Sequence, residues 1–285
     1  VIVKVMAKFS EGKGSMEIDT GTNELLCAVR EGVAVITLNR PEARNALSDK
    51  LTPALRVQIK ERGEDPDVGA ILITGAGTAF CSGGDVKGMG GRSARTQLTF
   101  EDRLMDLRKR QAGLTGALVA VRKPTIAALP GAAAGAGLSI ALACDIRIAA
   151  KSAFVSTGYA RVGLSGDYGI AWLLTRTVGS ARARELMFTA ERVDSERGER
   201  IGLFNRVVDD AKLQDEAFAL ARSLAEGPRA ALALIKDNLD DALDIDYPTA
   251  LHREAERLVR ASRTADHKEA VAAFVEKRKP KFVGA

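Results

Sequence analysis

KPTIAALPGAAAGAGLSIALACDIRIAA, Lys123 to Ala150, runs through a strand, a glycine turn, a short helix and a second strand. TIAAL (Thr125 to Leu129) and DIRIAA (Asp145 to Ala150) are the strands, and a helix is predicted to begin near Gly135. Gly135-Ala136-Gly137 would then sit at the helix N-terminus, where free N–H groups and the helix dipole favour negative charge. Small side chains let a ligand approach that backbone. Taken alone, such a turn is as well explained by tight packing.

A second stretch changes the balance. TAFCSGGDVKGM (Thr78 to Met89) follows the buried-strand pattern AILIT (Ala70 to Thr74) and again places small residues after an extended apolar run. Two such N–H groups converging on one oxygen make an oxyanion hole. Other uses of glycine fit less well: there is no GxxxxGK[ST], no GxGxxG opening a helix and no GxSxG, and the only histidines are His252 and His267.

Outward from these turns, AVITLN (Ala34 to Asn39) reads as a strand and Ser48 to Arg62 as a helix capped by its serine. Alternating strand and helix predicts an α/β core. After FNRVV (Phe204 to Val208), Leu213, Ala217, Phe218, Leu220, Ala221 and Leu224 form a helical stripe ending at Gly227-Pro228. Asp266 and Glu269 resemble a capping box for a last helix, Ala265 to Arg278. The expected division is a flexible extension over 1–22, a core over 23–209 and a helical region over 210–285. The first fifteen residues read as a leader or added extension, with Met16 a natural start.

The 285 residues carry 42 Lys and Arg against 37 Asp and Glu, a net charge of +5. This modest excess, with aromatics at 5% and no aromatic–basic interleaving, gives little footing for nucleic acid. Three cysteines (Cys27, Cys81, Cys144) without metal-ligand spacing fit a reducing, cytoplasmic protein with no metal. Apolar runs stop well short of about 18 residues, so no membrane partner is expected.

ITLNRPEARNALS (Ile36 to Ser48), AFCSGGDVKGM (Ala79 to Met89), the quoted Lys123–Ala150 stretch, VGLSGDYG (Val162 to Gly169) and AFVEKRKPKF (Ala273 to Phe282) together resemble the crotonase family of enoyl-CoA hydratases and isomerases. They stand in the family's order and span almost everything from residue 25 to 284. The resemblance implies an α/β, crotonase-like spiral of repeated ββα units with a C-terminal helical trimerisation region, assembled as a homotrimer or dimer of trimers. It implies an acyl-CoA substrate and no separate cofactor, coenzyme A being part of the substrate. By position, the backbone N–H groups of Gly84 and Ala136 are the oxyanion donors. Gly84, Asp85, Val86 and Lys87 would line the adenine and pantetheine path with Arg44 nearby, and Phe274 and Lys277 would reach a CoA, often a neighbouring subunit's. The segment Gly88 to Asp106 would help to close the acyl pocket.

The chain departs from the hydratase pattern. The two glutamates that handle water in that pattern correspond to Ser139 and Tyr159, neither of which replaces a carboxylate as acid or base near neutral pH. Both are expected to line the pocket. Asp167, in GLSGDYG, matches the aspartate of dienoyl-CoA and some other enoyl-CoA isomerases, and one carboxylate suffices to move a proton between two carbons. Its bland alternative is to cap the helix that follows. Asp85 is expected to fix its turn through backbone hydrogen bonds, Asp145 to be structural and Cys81 to be packing. Isomerisation through an enolate is therefore the leading expectation. Hydration by non-standard residues, C–C cleavage or ring closure, thioester hydrolysis, and a non-catalytic acyl-CoA- or RNA-binding relative are the alternatives.

Overall fold

AILITG forms β4 (Ala70–Gly75), in which every residue is buried, as its unbroken apolar run requires of a strand covered on both faces. The computed structural model describes residues 14–85 and 99–284. Around β4 a seven-stranded sheet runs β1-β2-β3-β4-β6-β8-β11. Its members are β1 (Met16–Ile18), β2 (Leu25–Arg30), β3 (Val33–Leu38), β6 (Thr125–Leu129), β8 (Ile146–Ala150) and β11 (Arg206–Val208). β1, β2 and β3 pair antiparallel; from β3 onward the pairing is parallel. A four-stranded sheet runs β10 (Val193–Asp194), β9 (Phe154–Ser156), β7 (Ala132–Ala134), β5 (Ala79–Cys81).

The chain alternates between the sheets. β4, β6 and β8 enter the large sheet, and each is followed at once by β5, β7 or β9 in the small one. This is a spiral of ββα units, with α3 (Ala136–Ala143) closing the β6–β7 unit at the residue expected. α1 (Leu51–Glu64) begins three residues after Ser48, whose hydroxyl accepts the Leu51 N–H at 2.9 Å. β1 lies inside the stretch expected to be a flexible extension. Edge pairing to β2 uses backbone groups alone, so it leaves no hydrophobic pattern to read. Residues 1–13 lie outside the described residues.

α2 (Phe100–Gln111) is followed by a π turn over Ala112–Gly116 that buries Leu114, and by Ala117–Ala120. α4 (Ile170–Val178), α5 (Ser180–Thr189) and α6 (Ser195–Arg200) precede β11. α7 (Leu213–Ala225) lies across β4 and β6, so the first helix beyond residue 210 belongs to the packing of the main sheet. α8 (Arg229–Asp244) and α9 (Tyr247–Ala261) contain no buried residue and are tied together by Arg253 and Arg257 on Asp241. α10 (Ala265–Val275) corrects one expectation: Thr264 caps it, its hydroxyl accepting the His267 N–H at 3.1 Å. Asp266 instead turns inward, accepting N–H bonds from Val283 and Gly284, and Glu269 takes Arg278. Among the described residues no helix is long and apolar enough to cross a membrane.

Candidate active site

The two glycine turns meet backbone on backbone. A methyl group on Gly137 would stand 2.1 Å from the Cys81 carbonyl oxygen, so only hydrogen fits between α3 and β5. Gly83 has φ of +97°, and a Cβ there would lie 2.9 Å from the Ala134 oxygen and 3.6 Å from the Ala136 nitrogen. The glycines of GAG and SGG therefore answer to each other. Among the described residues the N–H groups of Gly84 and Ala136 donate to no protein acceptor. Ala136 is the first residue of α3 and nearly buried, where an orphan N–H is expected and the dipole is positive.

The loop before α1 holds the SGGD turn in place. Ser82 N–H donates to the Arg44 carbonyl at 3.0 Å, Leu47 N–H to Gly83 at 2.8 Å, and Asp85 N–H to Leu47 at 3.2 Å. Buried Asn45 ties the same loop to the far side of the turn, donating to the carbonyls of Ala76 at 3.0 Å and Ala79 at 2.7 Å. Arg44 and Asn45 both have left-handed backbones, φ 49° and 57°, and the Arg44 side chain is exposed beside the turn. The Asp85 side chain also reaches Arg40, both of whose terminal nitrogens approach its Oδ2 at 3.2 Å. Arg40 also contacts Glu24 and the Ala46 carbonyl. Val86, Lys87 and the start of the segment expected to close the acyl pocket lie outside the described residues.

Ser139, Tyr159 and Asp167 form a second cluster at the start of α3. The Ser139 hydroxyl bonds to the Gly135 carbonyl at 3.3 Å and the Asp167 carbonyl at 3.2 Å. The Tyr159 hydroxyl is buried, lies 3.9 Å from where a Gly135 Cβ would be, and stands beside the Ser139 hydroxyl and the Asp167 main chain without a well-formed hydrogen bond among the described residues. Burial pushes its phenol above the usual range, and the Asp167 charge adds to this. It is a neutral donor at any physiological pH. Asp167 is half-buried, and its carboxylate does not cap α4: Oδ1 accepts Gln111 Nε2 at 2.6 Å and the Tyr168 N–H at 2.7 Å.

Cys81 is fully buried, and burial pushes its thiol up to about 12, so it is packing and no nucleophile. Asp145 is structural, accepting the Thr125 N–H and hydroxyl at 2.8 Å and pairing with Lys236.

An enoyl-CoA hydratase/isomerase family model matches residues 28–285. The chain belongs to the enoyl-CoA hydratase/isomerase family. It is 41% identical over 260 residues, 90% of its own length and 96% of the other's, to a Rhodobacter capsulatus protein named "Probable enoyl-CoA hydratase". It is 38% identical over 262 residues, 91% and 98% of the two chains, to the 1,2-epoxyphenylacetyl-CoA isomerase of Escherichia coli. The solved structure of an enoyl-CoA hydratase from Polaromonas superposes with a TM-score of 0.82 at 32% identity, covering 90% of this chain and 99% of that one. It is therefore an acyl-CoA enzyme with the crotonase fold.

In this family member Phe274 and Lys277 lie at the C-terminal end of α10. Phe274 is 87% exposed on α10, and the Lys277 ammonium makes no ion pair among the described residues. Lys277 occupies the left-handed position (φ 54°) of a Schellman motif: its N–H donates to Phe274 and that of Arg278 to Ala273. Residues not singled out from the sequence are Arg40, Asn45 and Gln111. The first two lie inside the Ile36–Ser48 stretch that was, so their presence was visible and their function was not.

Proposed function

We propose that this enzyme isomerises a double bond in an enoyl-CoA thioester through an enolate. The N–H groups of Gly84 and Ala136 hold the thioester oxygen. Asp167 removes a proton from C2, the C–H electron pair moves through C1 onto that oxygen, and the dienolate forms. The carboxyl proton exchanges with solvent, and the same group then protonates C4, leaving the aspartate as it began. One lost oxyanion donor costs about 2.7 to 4 kcal/mol of barrier in a hydrolase, and general-base catalysis contributes about 10²- to 10⁴-fold. The observation that carries this reading is that Asp167, whose main-chain carbonyl takes the Ser139 hydroxyl and whose charge acts on Tyr159, stands with α3, where the Ala136 N–H, like that of Gly84, donates to no protein acceptor among the described residues. Tyr159 would donate to the bound acyl group, and Ser139 would line the pocket.

Arg44, Asp85, Val86 and Lys87 would border the CoA path at the SGGD turn, and Phe274 and Lys277 would reach the CoA of a neighbouring subunit. Exposed Leu239, Leu243, Leu251 and Leu258 on α8 and α9 support a homotrimer or dimer of trimers that covers them. Three buried free thiols accord with a cytoplasmic setting.

Water addition to a 2-enoyl-CoA is the second reading, favoured by the hydratase named among the relatives. The deciding experiment is mass spectrometry of 2-enoyl-, 3-enoyl- and dienoyl-CoA thioesters incubated with the enzyme in heavy water. Deuterium gain with a moved double bond and no added water is expected. Gain of a water molecule would replace isomerisation by hydration, and binding without any turnover would replace both by a silent acyl-CoA binder.

A further inference from the structure

The hydrogen bonds of Asp167 are lopsided. Gln111 Nε2 and the Tyr168 N–H both fall on Oδ1, at 2.6 and 2.7 Å, and among the described residues Oδ2 accepts none. Both donors are held where they are. Gln111 is the last residue of α2, at the point where the helix passes from an exposed stretch with no buried residue into the core. The following π turn buries Leu114, and the Thr115 hydroxyl bonds back to the Gln111 carbonyl at 3.5 Å. A π turn inside a helix costs stability and is found often at functional positions. Tyr168 is half of the same device. Its φ of 52° is rare for an aromatic residue, and it aims the Tyr168 N–H at the preceding side chain.

We infer that Gln111 is a positioning residue for the acid/base. With the Tyr168 N–H it locks Oδ1, so that Oδ2 is the single oxygen that accepts the substrate proton, exchanges it with solvent and protonates the substrate again. This rests on the reading of Asp167 as the base. The bond that breaks is C2–H and the bond that forms is Oδ2–H; in the second half Oδ2–H breaks as C4–H forms. Gln111 exchanges no proton. Its effect is on the orientation of the carboxylate, which its hydrogen bond holds in one setting.

The test uses the full-length enzyme and follows deuterium entry at C2 of hexanoyl-CoA and 3-hexenoyl-CoA across pH 5 to 9, for wild type, D167N, Q111L and Q111E. Among the described residues the ionisable groups on which the Asp167 charge acts include Tyr159 and Tyr168, and Arg56, Arg110 and Asp106 also act on Tyr168. Q111L is expected to lower kcat about tenfold with KM changed less than twofold, the loss of one hydrogen bond to a charged group. In Q111E two carboxyl groups share one proton, so the acid limb of the profile moves up by about one pH unit or more. A residue that only packs would give neither the kcat-specific loss nor the shifted limb. Melting temperatures identify any variant that fails to fold, and Q111E, isosteric with the wild type, then carries the test. Loss of exchange in D167N with wild-type kcat in Q111L and an unmoved limb in Q111E would overturn the Gln111 role alone. Exchange undiminished in D167N, or no exchange by the wild type on either thioester, would overturn the Asp167 reading and this one with it.

Discussion

The two halves of the site are made of different material. The half at Gly83, Gly84 and Ala136 is backbone, fixed by strand pairing and by contacts that admit no side chain. The half at Ser139, Tyr159, Asp167 and Gln111 is side chain, assembled from α3, the loop before α4 and the end of α2. Backbone geometry survives almost any change of sequence that preserves the fold. A side-chain cluster changes with each substitution. The donors expected from the family resemblance sit in the first half, and the residues at which this chain departs from the two-glutamate pattern sit in the second.

Pressing on the first half should have the largest effect. Gly137→Ala drives a methyl group into the Cys81 carbonyl, and we expect either failure to fold or a loss of about 3 kcal/mol or more, read by denaturant unfolding. Ser139→Ala, two residues along the same helix, gives up two long hydrogen bonds and should cost only about 1 kcal/mol. Equal losses would erase the contrast. In the side-chain half, Asp167→Asn should lower kcat by about 10³-fold with little change in melting temperature. A thermal shift matching the kinetic loss would make Asp167 structural. Tyr159→Phe sharpens the contrast further, because it removes a buried hydroxyl that makes no well-formed hydrogen bond among the described residues. Stability should hold or rise, while turnover falls about tenfold through the donor lost to the substrate.

The smallest effect is the pH dependence of the fold itself. Burial pushes Cys27, Cys81 and Cys144 up to about 12. Between the ordinary thiol range and that value the unfolded chain releases protons that the folded chain keeps. Stability is thus full below about pH 8.5 and falls as pH rises, by at most about 1.4 kcal/mol per unit for each thiol. Melting curves from pH 8 to 10.5 check the sign, and the Cys27→Ala variant should flatten the slope.

What could be read in the sequence follows the same division. Thr125–Leu129 and the start of α3 at Ala136 agree with expectation because a strand period and a glycine turn are local signals. The Gln111–Asp167 bond spans 56 residues and the Asn45 bonds span 31 and 34. No local pattern marks such pairs. Asp266 was misread for the same reason: the spacing Asp266–Glu269 suits a capping box, but the carboxylate is taken by N–H groups 17 and 18 residues further on. The left-handed backbone of Lys277 has no signal in the sequence, because nothing about a lysine marks that conformation.

β5 and β7 are neighbouring parallel strands, and Gly84 and Ala136 follow within three residues of their ends. Neighbouring strands lie about 4.8 Å apart, and two backbone nitrogens carried on them would start from that spacing. An oxygen about 2.9 Å from each of two nitrogens so spaced would subtend an angle of about 110°, close to the spread of its own lone pairs. In such a spiral, a seat for one oxygen with two donors comes with the pitch of the coil, wherever two successive turns are stripped of side chains.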